Sequence, residues 1–268
     1  HVLYRVTPIF EGENLVASFG IKDFDNRTIT LFSKEGMVKR TELSSLVVSR
    51  YTKPMMIFKL KETDEVVSAS INEGDVYIIT KNGYALKFTK EEIPVVGPRT
   101  SGVKGIKLVD DSVTGGFITN ETHEYITMFT DKNTAKRVRL DEIAFAKRAL
   151  KGENVLKSPK TKKYNVVKSF AGSSKTNYGI IGEDVKPLKS SDINIMEKTS
   201  TGGVISKSDV EEAYKEAKLK VVDKTTEDAK ESNEVKTIVK EEPKKEIKED
   251  NKVIETLTMS DFFDEFKI

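Results

Sequence analysis

The sequence predicts an all-β chain built from repeated four-stranded, propeller-type blades, and three observations predict it. Residues 1–207 are rich in Val, Ile, Phe, Thr and Gly, as half-buried strands are. One short pattern returns along this stretch with a period near 50 residues. Each return centres on a tight-turn signal flanked by apolar alternation. About four short strands per unit of that length suit blades that close radially and so hide their edges.

The repeats run in order. The first is Thr30-Leu31-Phe32-Ser33-Lys34-Glu35-Gly36-Met37-Val38-Lys39-Arg40. The second, Ile79-Thr80-Lys81-Asn82-Gly83-Tyr84-Ala85-Leu86-Lys87, carries Asn-Gly, which predicts a type I′ hairpin turn. The third is Met128-Phe129-Thr130-Asp131-Lys132-Asn133-Thr134-Ala135-Lys136-Arg137, where Asn133 tolerates the left-handed geometry. A worn fourth copy is Gly179-Ile180-Ile181-Gly182-Glu183-Asp184-Val185-Lys186. Anchored on Gly36, Gly83, Asn133 and Glu183, the spacings are 47, 50 and 50. Two further columns stay in register: Ile93, Ile143 and Ile193, each after an acid, and Gly102, Gly152 and Gly202. Strands are expected after the glycine column at residues 55–60 and 105–109, then at 65–71 and 112–119. Residues 1–10 and 14–21 read as two strands of an earlier unit whose first half precedes His1.

Composition excludes much chemistry. There is no cysteine, hence no disulfide, thiol nucleophile or thiolate metal site. His1 and His123 lie too far apart in sequence to suggest a paired metal site, and His123 reads as a turn residue. No apolar run approaches the ~20 residues of a bilayer span. With no initiator methionine or signal peptide, the chain reads as a cytoplasmic piece of a longer protein. Two stretches end like phosphate-binding loops, at Lys207-Ser208 and Lys175-Thr176, but both lack the required glycines. No acid–base or nucleophile constellation is visible, so catalytic residues are expected to be none.

The motifs Gly36-Met37-Val38-Lys39-Arg40-Thr41, Lys81-Asn82-Gly83-Tyr84-Ala85-Leu86-Lys87 and Arg99-Thr100-Ser101-Gly102-Val103-Lys104-Gly105-Ile106-Lys107-Leu108 resemble the repeats of bacterial type IIA topoisomerase A subunits. The resemblance covers residues 1–207. It implies a β-pinwheel, a propeller-like ring whose blades exchange a strand with a neighbour and whose basic rim binds and bends double-stranded DNA. It implies a non-catalytic, nucleoid-associated domain lacking its first blades, within an ATP-dependent topoisomerase (isomerase). The parent would be an A-subunit homodimer joined by the B (ATPase) subunit, with ATP and Mg2+ confined to other parts. The Gln-Arg-Arg-Gly-Gly-Lys-Gly box of gyrase is absent here, which favours topoisomerase IV over DNA gyrase. A propeller-like protein-interaction platform is the reading from another class.

On this reading DNA binding is electrostatic. Arg40, Lys87 and Arg137 share one repeat position, with Lys39, Lys136 and Arg139 beside them. The loops around the glycine column add Arg50, Arg99, Lys104, Lys107, Lys147, Arg148 and Lys151. Residues 132–168 hold twelve basic and three acidic side chains, so the third repeat is expected to grip DNA most tightly. Residues 1–207 balance to +8, whereas 208–268 balance to −6. The latter read as an acidic, low-complexity tail, mostly disordered or partly helical. Ser208-Asp209-Val210-Glu211 forms a capping box followed by a Val210, Ala213, Tyr214, Ala217 helical stripe. The tail ends in an acidic, aromatic tip around Phe262, Phe263 and Phe266, which reads equally as a short helix that docks on a partner or on the rim and as part of a disordered, solubilising tail.

Overall fold

Every unit begins with a hairpin, and the computed structural model, which describes residues 12–48, 54–159, 161, 163–182, 185–205, 207 and 210–215, shows four of them. They are β1 (Thr28–Ser33) with β2 (Met37–Glu42), β4 (Val76–Thr80) with β5 (Tyr84–Phe88), β8 (Tyr125–Thr130) with β9 (Thr134–Arg139), and β12 (Asn177–Ile181) with β13 (Val185–Lys189). A third strand flanks the first strand of each hairpin: β3 (Val66–Ser70), β7 (Val113–Ile118), β11 (Val166–Gly172) and β15 (Glu212–Lys215). The fourth is borrowed. β6 (Val103–Lys104), β10 (Glu153–Asn154) and β14 (Gly203–Val204) each pair with the second hairpin strand of the preceding unit, β2, β5 and β9. The expected four-stranded, strand-exchanging blades are therefore present in three sheets; the fourth sheet has three strands among the described residues.

The glycine column explains this exchange. To reach the neighbouring blade the backbone passes hard against it: a Cβ on Gly102 would lie 2.2 Å from Val38 O, and one on Gly152 2.4 Å from Ala85 O. The isoleucine column plugs the gap just behind. Ile93, Ile143 and Ile193 follow the short 3-10 helices Lys90–Glu92, Leu140–Glu142 and Ser190–Asp192, and each is fully buried. Apolar clusters fill the space between successive blades. Phe32, Val38, Ile78, Leu86 and Phe88 join the first to the second; Tyr77, Ile79, Ile126 and Met128 join the second to the third. Phe129, Tyr178 and Ile180 join the third to the fourth.

Some local expectations are corrected. The turn at Asn82-Gly83 is not type I′: only Gly83 has positive φ (81°), and Gly83 N–H donates to Thr80 O, closing a type I-like turn whose last residue is left-handed. Residues 105–109 and 55–60 are not strands. Gly105 and Ile106 N–H turn instead onto Gly36 O, the hairpin tip of the first blade, and Lys59 N–H donates to Thr100 O. Residues 14–21 form no strand either; Phe19 and Ile21 pack on the Ile29, Leu31 and Phe58 cluster. The helix expected after Ser208 is overturned by β15, which lies past the boundary placed after Lys207. The edge of β12 offers ladder partners to Glu212–Lys215, and tertiary pairing overrides a weak local helical signal. Residues 1–11 and the tail beyond Lys215 lie outside the described residues.

Candidate nucleic-acid interface

The second hairpin strand of each blade faces the loop that the next unit sends back to it. That loop is irregular, so its carbonyls need donors from somewhere. Basic side chains supply them. Lys39 Nζ donates to Ile57 O (2.6 Å) and Thr100 O (3.1 Å). Lys136 Nζ donates to Glu197 O (3.0 Å), Lys198 O (2.9 Å) and Ser200 O (3.0 Å). Both side chains are 1% exposed. Burial lowers the pKa of Lys39, and it pushes Lys136 down to about 8 against the opposing pull of Glu142.

The shared column works the same way. Arg40 Nη1 donates to Lys90 O (2.8 Å), and Arg137 Nε to Ile193 O (2.7 Å), so each ties its blade to the 3-10 helix of the next. Lys87 is buried between the Tyr77 and Phe145 rings, 5.4 and 4.0 Å from their centroids, with Asp75 at 3.7 Å. Arg148 reaches back: its Nε donates to Glu92 O at 3.0 Å and its Nη1 to Lys104 O. Of the thirteen basic residues expected on the rim, Lys39, Lys87, Lys136 and Arg137 are thus buried fasteners, and half-buried Arg40 and Arg148 are carbonyl-bound. Arg99, Lys104, Lys107, Arg139, Lys147 and Lys151 are exposed; Arg50 lies outside the described residues.

Lys107 belongs to a second row, whose other members, Lys59 and Lys157, are absent from the sequence reading. Lys59 N–H donates to Thr100 O (3.0 Å), Lys107 N–H to Leu150 O (2.9 Å) and Lys157 N–H to Ser200 O (3.1 Å). Thr100, Leu150 and Ser200 occupy one repeat position in successive loops, so the backbone of every unit is stitched to the next at the same point. All three lysines are exposed, and Lys207 is exposed 50 residues past Lys157. The signal was available: Lys107, Lys157 and Lys207 recur at the 50-residue period. His123 is the turn residue expected, its N–H donating to Asn120 O at 3.1 Å. Burial, and then the Lys215 charge, hold its pKa down to about 4. Among the described residues no cluster of three or more His, Cys, Asp or Glu could hold a metal, and no helix is long and apolar enough to cross a membrane.

Comparison with known proteins follows this architecture. The family described as "DNA gyrase C-terminal domain, beta-propeller" matches residues 28–73, 74–120 and 124–163, beginning at β1, just before β4 and just before β8. The A subunit of DNA topoisomerase 4 from Bacillus subtilis (strain 168) is 37% identical over 167 residues, 61% of this chain and 21% of that protein. The corresponding protein of the same name from Streptococcus pneumoniae is 31% identical over 249 residues, 83% of this chain and 30% of its own length. The chain thus spans under a third of these relatives. Among solved structures, the C-terminal domain of DNA topoisomerase IV superposes with a TM-score of 0.73 at 27% identity, covering 80% of this chain and 70% of that one. The DNA gyrase A C-terminal domain shares the fold, with a TM-score of 0.66 at 21% identity over 80% of this chain and 74% of that one. Strand exchange, repeat register and these likenesses agree: the chain belongs to the β-propeller family of DNA gyrase C-terminal domains.

Proposed function

We propose that this chain is the DNA-binding and DNA-bending domain from the A protein of a topoisomerase IV, serving as a non-catalytic platform that positions duplex DNA for strand passage carried out elsewhere in the parent. The observation that carries the reading is the row Lys59, Lys107 and Lys157, one exposed cation per blade at a position the backbone fixes. A duplex presents phosphates at regular intervals, and cations repeated once per blade suit successive phosphates along it. Arg99, Lys104, Arg139, Lys147 and Lys151 are further exposed cations. The names of the relatives favour topoisomerase IV over gyrase. On this reading the parent works in the bacterial cytoplasm as an A-subunit homodimer with B subunits, where ATP and Mg2+ are handled.

The test is a salt titration of binding to duplexes of unrelated sequence. With roughly six to eight phosphates neutralised, log K falls against log salt with a slope near −5 to −7 and without sequence preference. A slope near zero would remove the proposal and favour a protein-interaction platform.

A further inference from the structure

Three blades expose an apolar side chain at one repeat position: Val95 (40% exposed), Phe145 (57%) and Ile195 (41%). Each forms a parallel bridge with the fastener column, Val95 with Arg40, Phe145 with Lys87 and Ile195 with Arg137. Exposed apolar residues scattered singly need no explanation, but recurrence at one position in three blades does. Phe145 is also held rigidly. Ala144 N–H donates to Glu153 Oε1 and Ala146 N–H to Lys87 O, both at 2.8 Å, while the Lys87 ammonium sits 4.0 Å from the ring centroid. Leu150, 51% exposed, shares with it a shallow recess of about 310 Å³, which Lys151 also lines. The exposed Lys147 lies two residues along the chain.

A fixed apolar knob among exposed cations suits few partners. An apolar protein surface would strand Lys147 and Lys151 without counter-charges. A B-form duplex offers both halves at once: phosphates for the cations, and between them the apolar sugar edges of the minor groove. In B-form DNA that groove is walled by the C–H groups of C1′, C4′ and C5′; in A-form RNA the minor groove displays 2′-hydroxyls, whose burial against an aromatic ring without a hydrogen bond is unfavourable.

We propose that Phe145, supported by Leu150, packs against deoxyribose in the minor groove and makes this rim select DNA over double-stranded RNA, with Val95 and Ile195 making smaller versions of the contact. The inference rests on the DNA-binding reading and adds a specificity residue to it. The experiment measures the affinity of the full chain and of Phe145→Ala and Phe145→Leu for a DNA duplex and for an RNA duplex of equal length, each across a salt series. Wild type prefers DNA. Phe145→Ala loses about fivefold on DNA and little on RNA, as expected for about half an aromatic side chain's burial. Its salt slope is unchanged, because no phosphate contact is lost. Phe145→Leu keeps most of the preference, and far-ultraviolet dichroism shows all three chains folded alike. An unchanged DNA-to-RNA ratio in Phe145→Ala overturns the proposal. Failure of the wild type to bind DNA in a salt-dependent way strikes the DNA-binding reading itself.

Discussion

Lys136 shows why a basic residue in a DNA-binding family need not touch DNA. Its ammonium, 1% exposed, is ringed by three carbonyls of residues 197–200 and so behaves as a built-in cation that organises a loop. Lys39 does the same for Thr100. In the second blade the equivalent residue is Leu86, and there Arg148, on the loop itself, binds outward to Glu92 O and Lys104 O instead. The pKa of Lys136 carries a testable consequence. Folded, it titrates near 8, below the ordinary 10.5, so between those values the unfolded chain holds a proton that the folded chain has released. Stability therefore rises with pH across that window on account of this group. Unfolding free energies of wild type and Lys136→Met, taken from about pH 7.5 to about pH 10.5 by denaturant titration, should show wild type gaining on the variant as pH rises. Parallel curves would mean that Lys136 keeps an ordinary affinity for its proton.

At the scale of elements, the two-residue strands β6, β10 and β14 are too short to persist alone, yet they lock neighbouring blades together. Their delivery depends on glycine at the close crossing. Gly152 has φ of +81°, and an added Cβ would sit 2.4 Å from Ala85 O. Gly152→Ala should therefore destabilise the fold by about 2–4 kcal/mol, measured by denaturant unfolding. A loss below about 0.5 kcal/mol would show that the crossing can relax. The lysine row makes a separate prediction. Replacing Lys59, Lys107 and Lys157 together by alanine should lower the salt slope of DNA binding by about 3 while leaving the melting temperature unchanged. A melting shift with an unchanged slope would make these lysines structural.

Much of this was legible at element scale because it is periodic. Columns such as Ile93, Ile143 and Ile193 are fixed by the same gap in every blade, and period survives in sequence. What could not be read was how each column is used. A lysine that caps carbonyls in the interior and a lysine that faces solvent leave the same letter, so Lys39 and Lys136 looked like rim residues. The short borrowed strands were blurred for a related reason. Residues 105–109 keep an apolar alternation because Ile106 and Leu108 pack against the first two blades, although their backbone makes no ladder. The strand β15 looked helical because its pairing partner, Tyr178–Ile181, lies more than 30 residues away, beyond the reach of any local pattern.

At the scale of the whole molecule, charge is unevenly divided. Residues 1–207 carry 33 basic and 25 acidic side chains, whereas residues 216–268 carry 11 and 15. Because both belong to one chain, pairing of the acidic segment with the basic surface would proceed at an effective concentration set by tethering rather than by dilution, and the expected result is competition with phosphate for the same cations. Single exposed ion pairs are weak, but several together oppose DNA by about 1 kcal/mol, or roughly fivefold in affinity. The cut that tests this must respect β15: ending the chain after Ser208 would strip Glu212–Lys215 from β12 and confound charge with folding. Ending it after Lys215 removes the acidic segment and keeps the last sheet. That shortened chain should bind duplex DNA more tightly than the full chain at ~50 mM salt, with the advantage shrinking towards ~200 mM as screening grows. Equal or weaker binding at low salt would assign the acidic segment, with its Phe262, Phe263 and Phe266 tip, to a partner other than the DNA-binding surface.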